Sequence, residues 1–200
     1  IALCGCAPLA AAWADGHLEA RIAQARSAAP DAISAEATIM DSDGTILVEG
    51  TNGWTCLPDT FAGDNAPMCN DEVWMKMLAA FGAQEDFRAE RVGISYMLAG
   101  DEGASNIDPY AEGPTEDNEW IKEGAHLMII APSSDLLAGI PTDPSSGGPY
   151  VMWRGTDYEH VMVPVKVPES PEAPGPLEDA LSAADVNMRE SVAVMDWEGN

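Results

Sequence analysis

Basic residues are scarce in this sequence, and their scarcity excludes several classes of partner. The chain has 9 Lys and Arg residues against 34 Asp and Glu, which gives a net charge of −25. Because such a field repels phosphate backbones, we expect no nucleic-acid partner. The acidity has two interpretations: affinity for cations or basic partners, or a solvated surface that keeps the protein in solution. The second interpretation is favoured.

Long apolar runs are also missing beyond residue 14. The longest one, residues 127–132, has the length of a strand, whereas a membrane-spanning helix needs about 20 apolar residues. We therefore predict no transmembrane segment. Apolar residues still make up 46% of the chain, with six Trp and ten Met among them, which is enough for a hydrophobic core.

Cysteine is rare, and two of its four copies lie near the start of the chain. Residues 1–14 carry no charge and end in the pattern Ala-Trp-Ala, which is typical of an export signal. We interpret these residues as a truncated signal peptide, and expect a periplasmic or secreted protein. A minority alternative is a lipoprotein, because Leu-Cys-Gly-Cys at residues 3–6 resembles a cleavage box with Cys6 as the lipid anchor.

The other two cysteines, Cys56 and Cys69, remain after this leader is removed. An even number of cysteines in an exported chain predicts a disulfide. Metal sites usually contain C-x-x-C pairs with further ligands at matched spacing, and this sequence has none. Free or redox-active thiols are the other alternative.

The apolar pattern predicts one α+β domain over residues 15–166. Good helix formers predict a helix over residues 15–29, and four-residue apolar spacing predicts a second over residues 70–81, with Asn70 as its N-cap. Residues 37–40 and 45–48 flank a turn and predict a β-hairpin. The composition of residues 57–70 is typical of a loop.

Later segments predict the rest of a mostly antiparallel sheet, with one or two helices packed on it. Residues 92–98 alternate as in a half-buried strand, and the apolar residues 125–131 predict a central strand. Between them, residues 100–118 have the composition of a long loop. Strands at 150–154 and 158–165 form a hairpin, whereas residues 167–200 are predicted to form a Pro-rich linker and an acidic tail.

Two histidines, His126 and His160, are the candidate catalytic residues. Each lies in a predicted strand, and the rings can face one another if these strands are neighbours. With an acid such as Glu159 or Asp157 they would form a metal or acid–base site. No H-x-H or H-E-x-x-H spacing supports this. The competing interpretation is a partly buried histidine bonded to the backbone.

Acidic residues offer candidate ligands for calcium, which prefers oxygen donors. One group surrounds the cysteine loop and includes Asp59, Asp64 and Asp71. A second group lies in the long loop and consists of Asp101, Glu102, Asn106 and Asp108. Chance clusters are expected in so acidic a chain, and the sequence requires no cofactor.

Aromatic residues in or beside the predicted loops are candidates for ligand binding. Trp54, Tyr150 and Trp153 can stack there on a sugar or another flat molecule. Packing in the core is the alternative for each of them.

Three stretches of the chain resemble a group of uncharacterised exported proteins of Gram-negative bacteria. They are TNGWTC at residues 51–56, SGGPYVMW at 146–153 and HVMVP at 160–164. The likeness covers residues 35–165. It implies an exported single domain and assigns no residue a role.

The favoured function is non-catalytic binding of a small molecule, a glycan or an envelope protein. One alternative is a histidine- or metal-dependent hydrolase that uses His126 and His160. Another is a structural envelope protein without a small ligand. The oligomeric state does not follow from the sequence.

Overall fold

The computed structural model describes residues 9–61 and 63–165, which form an α+β fold. Its helices are α1 (Leu9–Arg26), α2 (Asp31–Ser34) and α3 (Glu72–Ala83). Its strands are β1 Thr38–Met40, β2 Ile46–Val48, β3 Thr55–Leu57, β4 Met68–Asn70, β5 Gly93–Met97, β6 Ala104–Ser105, β7 Trp120–Ile121, β8 His126–Ile130, β9 Tyr150–Met152 and β10 His160–Pro164. The predicted fold class is confirmed. Residues 1–8 of the predicted leader and the predicted linker and tail lie outside the described residues.

Eight of these strands form one mixed sheet in the order β2-β1-β3-β4-β5-β8-β10-β9. Neighbouring strands are antiparallel except β1 and β3, which run parallel. The two predicted hairpins, β1–β2 and β9–β10, are present. Strand β8 lies between β5 and β10, as predicted for a central strand, with Ile129 opposite both Ile94 and Val161. A separate two-stranded sheet joins β6 to β7.

Apolar residues pack on both faces of the sheet. Because side chains alternate along a strand, neighbouring residues of β8 and β10 enter different cores. On one face, Met128 and Met162 pack with Trp74 of α3. On the other face, the end of α1 covers β1, β3 and β4, whereas Leu137 covers Val161 at the far end. Leu137 belongs to the 3-10 helix Ser134–Leu137.

Helix α3 begins one residue later than predicted. Its N-cap is Asp71, whose carboxylate accepts from the backbone N–H of Trp74 at 2.9 Å and of Ile94 at 2.9 Å. Asn70, the predicted cap, instead ends β4, and its buried side chain accepts a hydrogen bond from Ser95 Oγ at 2.7 Å. The negative charge of a carboxylate at the cap also interacts favourably with the positive end of the helix dipole.

Two other predicted boundaries are wrong. The first helix begins at Leu9 and ends at Arg26, so it runs through the predicted Ala-Trp-Ala cleavage pattern and stops before residue 29. The predicted loop over residues 57–70 is shorter, because strands β3 and β4 occupy its ends. Three-residue strands are too short to show an alternating pattern in the sequence. None of the described helices is long and apolar enough to cross a bilayer.

The predicted disulfide between Cys56 and Cys69 is confirmed. The two residues lie directly opposite one another on β3 and β4. Both are fully buried, and they pack beneath Ala25 of α1. The bridge therefore closes the loop between β3 and β4 on the face of the sheet that α1 covers.

Reduction of this disulfide is expected to lower the free energy of unfolding by about 3 kcal/mol, because the unfolded chain regains the freedom of the closed loop. Urea unfolding with and without reductant measures the loss. The double variant Cys56→Ala/Cys69→Ala is the control and should not respond to reductant. Equal stability of the oxidised and reduced wild-type protein would contradict the prediction.

Arg21 connects α1 to two acidic residues in different loops. Its guanidinium donates to Asp41 from Nε at 3.0 Å and to Asp59 from Nη2 at 3.0 Å. Asp59 is only 2% exposed, so its charge depends on protein partners. The bond from Arg21 holds the pKa of the Asp41 carboxyl below its usual range.

Arg21→Met is expected to destabilise the protein by about 2 kcal/mol at pH 7, because it leaves the buried Asp59 short of a donor. This loss of stability should be smaller in acid. Because the pKa of Asp41 is lowered in the folded state, the Arg21–Asp41 pair stabilises the protein above about pH 4 and loses this effect as Asp41 is protonated. Unfolding curves between pH 7 and pH 3 measure it. Arg88→Met, at an exposed position, is the charge-matched control. A loss of stability that does not change with pH would contradict the contribution of the Arg21–Asp41 pair.

Candidate functional site

A cavity of about 570 Å³ lies on the α3 face of the sheet. Strands β4, β5, β8, β9 and β10 contribute to its floor, and α3 forms one wall. Residues 60, 61, 64 and 66 and the segment 101–112 contribute to the other walls. Six of the ten methionines in the chain line it: Met68, Met77, Met97, Met128, Met152 and Met162. The wall is therefore mainly apolar and adaptable, because methionine is flexible and polarizable.

The wall formed by residues 101–112 belongs to the segment predicted as a long loop. Trp153 bonds this wall to the main sheet, since its indole N–H donates to Ser105 O at 2.8 Å and its backbone N–H donates to Asn106 O at 2.8 Å. Gly103 has a φ of +108°, and a Cβ there would lie 2.2 Å from Nε1 of Trp120. Only glycine allows this close approach.

An aromatic cluster closes part of the cavity around Phe81 of α3. Its ring is stacked with Tyr110 at 5.1 Å and with Trp153 at 5.8 Å, and it meets the edge of Tyr158 at 5.4 Å. The Tyr110 and Tyr158 hydroxyls are 3.0 Å apart. These contacts connect the helix, the 101–112 wall and the β9–β10 connection.

Both candidate histidines line this cavity, and both are essentially fully buried. They lie on neighbouring strands, as the sequence hypothesis required. However, His126 is opposite Pro164 in the register, not opposite His160. Strand geometry therefore separates their Cα atoms by roughly 13 Å along the sheet. Met128 and Met162 lie between these two positions on the floor.

The hydrogen bonds of the two rings define the same tautomer. Nδ1 of His126 lies 2.7 Å from Gly124 O, and Nδ1 of His160 lies 2.9 Å from Tyr158 O. Because a carbonyl oxygen only accepts, each Nδ1 carries a hydrogen, and in the neutral ring each Nε2 presents a lone pair. Both Nε2 atoms are buried without a partner in the described part of the chain. The floor thus holds two unused acceptors.

Burial keeps His160 neutral. Its ring packs edge-on against Trp74, with centroids 5.3 Å apart, and against Trp153 at 5.0 Å. Removal from water lowers the pKa of His160 from 6.5 to about 4.

Asp101 is the acid that the fold brings to His126. Its Oδ2 lies 4.0 Å from Nε2 of His126, while its Oδ1 accepts from the backbone N–H groups of Gly103 and Glu123, both at 3.0 Å. Burial raises the pKa of Asp101. The sequence hypothesis named Glu159 and Asp157 as partners instead, and neither lines the cavity.

The three acids named in the first calcium group occupy different places. Asp59 is bonded to Arg21, and Asp71 caps α3. Asp64 lines the cavity, and its carboxylate accepts from the backbone N–H groups of Thr60, Phe61 and Ala66, while burial raises its pKa. Over residues 9–61 and 63–165, no three His, Cys, Asp or Glu side chains are grouped to hold a metal ion.

The three aromatic residues predicted to bind a ligand do not lie in one site. Trp153 lines the cavity, whereas Tyr150 is fully buried beside it and donates from its hydroxyl to Glu123 Oε1 at 2.9 Å. Trp54 lies on the opposite face of the sheet, 5.6 Å from the ring of Tyr96. The methionine floor was not predicted, although alternating apolar residues in the strands carry a signal for it.

Comparison of the chain with protein-family models, with curated proteins and with solved structures gave no match in any of the three. The resemblance to exported proteins stays a prediction. Function is therefore argued from the cavity.

His160 is expected to stay neutral down to about pH 4 in the folded protein. An NMR titration of its Cε1–H resonance, assigned with the His160→Gln variant, measures the midpoint. The unfolded chain binds this proton near the ordinary value of 6.5, so stability from this residue is complete above pH 6.5 and falls between 6.5 and about 4. A midpoint above 6 would contradict the burial argument.

Proposed function

We propose that this protein binds a small, largely apolar molecule in the cavity on the α3 face, without transforming it. The observation that carries the proposal is a volume of about 570 Å³ with a wall of methionine and aromatic side chains. Ligand sites of globular proteins usually have about 300–1,000 Å³ and a few placed polar groups in an apolar wall. The two histidines and Asp101 supply such polar groups here.

A cavity of about 570 Å³ is much larger than the voids that ordinary side-chain packing leaves. Folded interiors are close-packed, and voids much larger than a water molecule are few. An apolar molecule that fills the space regains the dispersion contacts that the wall lacks. Ligand binding would therefore stabilise the folded state by mass action.

Hydrolysis by the histidine pair is less well supported. General acid–base catalysis needs both groups within hydrogen-bond reach of one reacting bond. The register places the Cα atoms of the two histidines roughly 13 Å apart along the sheet. The side-chain hydroxyls of Thr60 and Ser105 also line the cavity, but they donate to backbone carbonyls of Ala66 and Asn118. The two acceptor atoms of Asp101 and His126 are better suited to bind a hydrogen-bond donor of a ligand than to catalyse hydrolysis.

The same wall favours an apolar ligand over a glycan. Sugar hydroxyls need many polar partners, because each one buried without a hydrogen bond costs free energy. An oxidising compartment outside the cytoplasm remains part of the proposal. The buried disulfide supports it, since such bonds persist mainly in exported proteins.

The neutral fluorophore N-phenyl-1-naphthylamine is expected to bind in the cavity and to gain fluorescence. Phe61→Ala should weaken binding by about five-fold, because Phe61 is a 59% exposed side chain at the cavity whose apolar contact is lost. The matched control is Leu136→Ala, a 66% exposed apolar side chain in the 3-10 helix away from the cavity. Fluorescence titration gives the affinities.

Two results would count against the proposal. The first is a wild-type protein that neither enhances the fluorescence nor is stabilised against heat by this probe. The second is equal weakening in the Phe61 and Leu136 variants, which would place the bound probe outside the cavity.

A further inference from the structure

The charged groups of the cavity have one sign. Its lining includes the acids Asp64, Asp101, Glu102, Asp108 and Glu112, and no lysine or arginine. Several of these acids lie at its exposed rim, where water solvates them. Asp101 differs, because it lies deeper and beside a fully buried histidine.

Oδ2 of Asp101 and Nε2 of His126 face each other, and both are hydrogen-bond acceptors when the ring is neutral. The distance of 4.0 Å between Asp101 Oδ2 and His126 Nε2 is too long for a direct hydrogen bond. In the neutral imidazole, the hydrogen lies on Nδ1, which donates to Gly124 O, and Nε2 therefore carries a lone pair. A nitrogen with two or more hydrogens, placed beside this gap, can donate to both acceptors at about 2.8 Å.

We propose that the ligand is a protonated amine with an apolar or aromatic body, and that its ammonium group donates to Asp101 and His126. This proposal rests on the proposed function, because it assigns a ligand class to the same cavity. The body of the amine lies over the methionine floor and beside the stacked rings of Phe81 and Trp153.

The alternatives fit this pair less well. An alcohol has a single hydroxyl hydrogen, so it can satisfy one of the two acceptors. A carboxylate brings more acceptors and a second negative charge, which Asp101 repels. An ammonium group supplies three hydrogens and a charge opposite to that of Asp101.

The surroundings of Asp101 also favour a cationic ligand. Burial raises the pKa of Asp101, and the cavity lining contains no lysine or arginine to offset this effect. Its Oδ1 already accepts from Gly103 and Glu123, so Oδ2 is the oxygen left for a ligand. A cationic group at Oδ2 stabilises the ionised form.

A matched series tests the ligand class at pH 7. 1-Naphthalenemethylamine, 1-naphthalenemethanol and 1-naphthoate share one ring system and differ in the polar group. Isothermal titration calorimetry is expected to show the amine binding at least about ten-fold more tightly than the alcohol, with the carboxylate weakest. An alcohol that binds as tightly as the amine, or a carboxylate that binds best, overturns the proposal.

Asp101→Asn tests the residue. The amide oxygen still accepts from the backbone N–H groups of Gly103 and Glu123, so the loop keeps its bonds while the charge is removed. Affinity for the amine should fall about ten-fold, to the level of the alcohol, so that the preference for the amine is lost. Asp135→Asn is the control: it makes the same substitution at an exposed position in the 3-10 helix over the other face. Equal losses in both variants would mean that net charge alone attracts the amine.

N-phenyl-1-naphthylamine separates the two levels of the proposal. If this neutral probe binds the wild-type protein but the naphthalene series shows no preference for the amine, the ligand class is wrong and small-molecule binding stands. If neither the probe nor the amine binds, both proposals fail. The wild-type series decides the ligand class even where the Asp101 variant fails to fold.

Discussion

Alternation of side chains across the eight-stranded sheet is the constraint on which the rest of the structure depends. Each strand sends apolar residues to both faces, so neither face can remain open to water. Helix α1 covers the half of one face that carries Ile39 and the buried disulfide, and the 3-10 helix Ser134–Leu137 covers the other half. Helix α3 covers only part of the opposite face. The uncovered part of that face becomes the cavity floor.

The same alternation places both histidines on this floor. In each case the ring donates to a carbonyl two residues earlier in the chain, Gly124 for His126 and Tyr158 for His160. This local bond orients the ring and leaves Nε2 as an acceptor. The two acceptors thus lie in an apolar wall, which favours recognition of a donor. Only at His126 does a carboxylate, Asp101, stand close by.

Much of the fold could be predicted from local pattern. The period of four over residues 70–81, the turn between β1 and β2, and the apolar run of β8 each have a direct physical signature. Strands β3 and β4 do not, since each has three residues and depends on its neighbours for stability. The choice of Asp71 over Asn70 as the cap also depends on the sheet, because β4 uses Asn70 for pairing with Ser95 of β5.

The α+β class, the scarcity of positive charge and the pairing of Cys56 with Cys69 follow directly from the chain, because composition, periodicity and cysteine number act locally or by count. Which polar groups meet depends on tertiary contacts. The strand register separates His126 from His160, and the wall held by Trp153 brings Asp101 to His126. Register and loop anchoring arise from contacts between residues far apart in the chain, so no short motif encodes them.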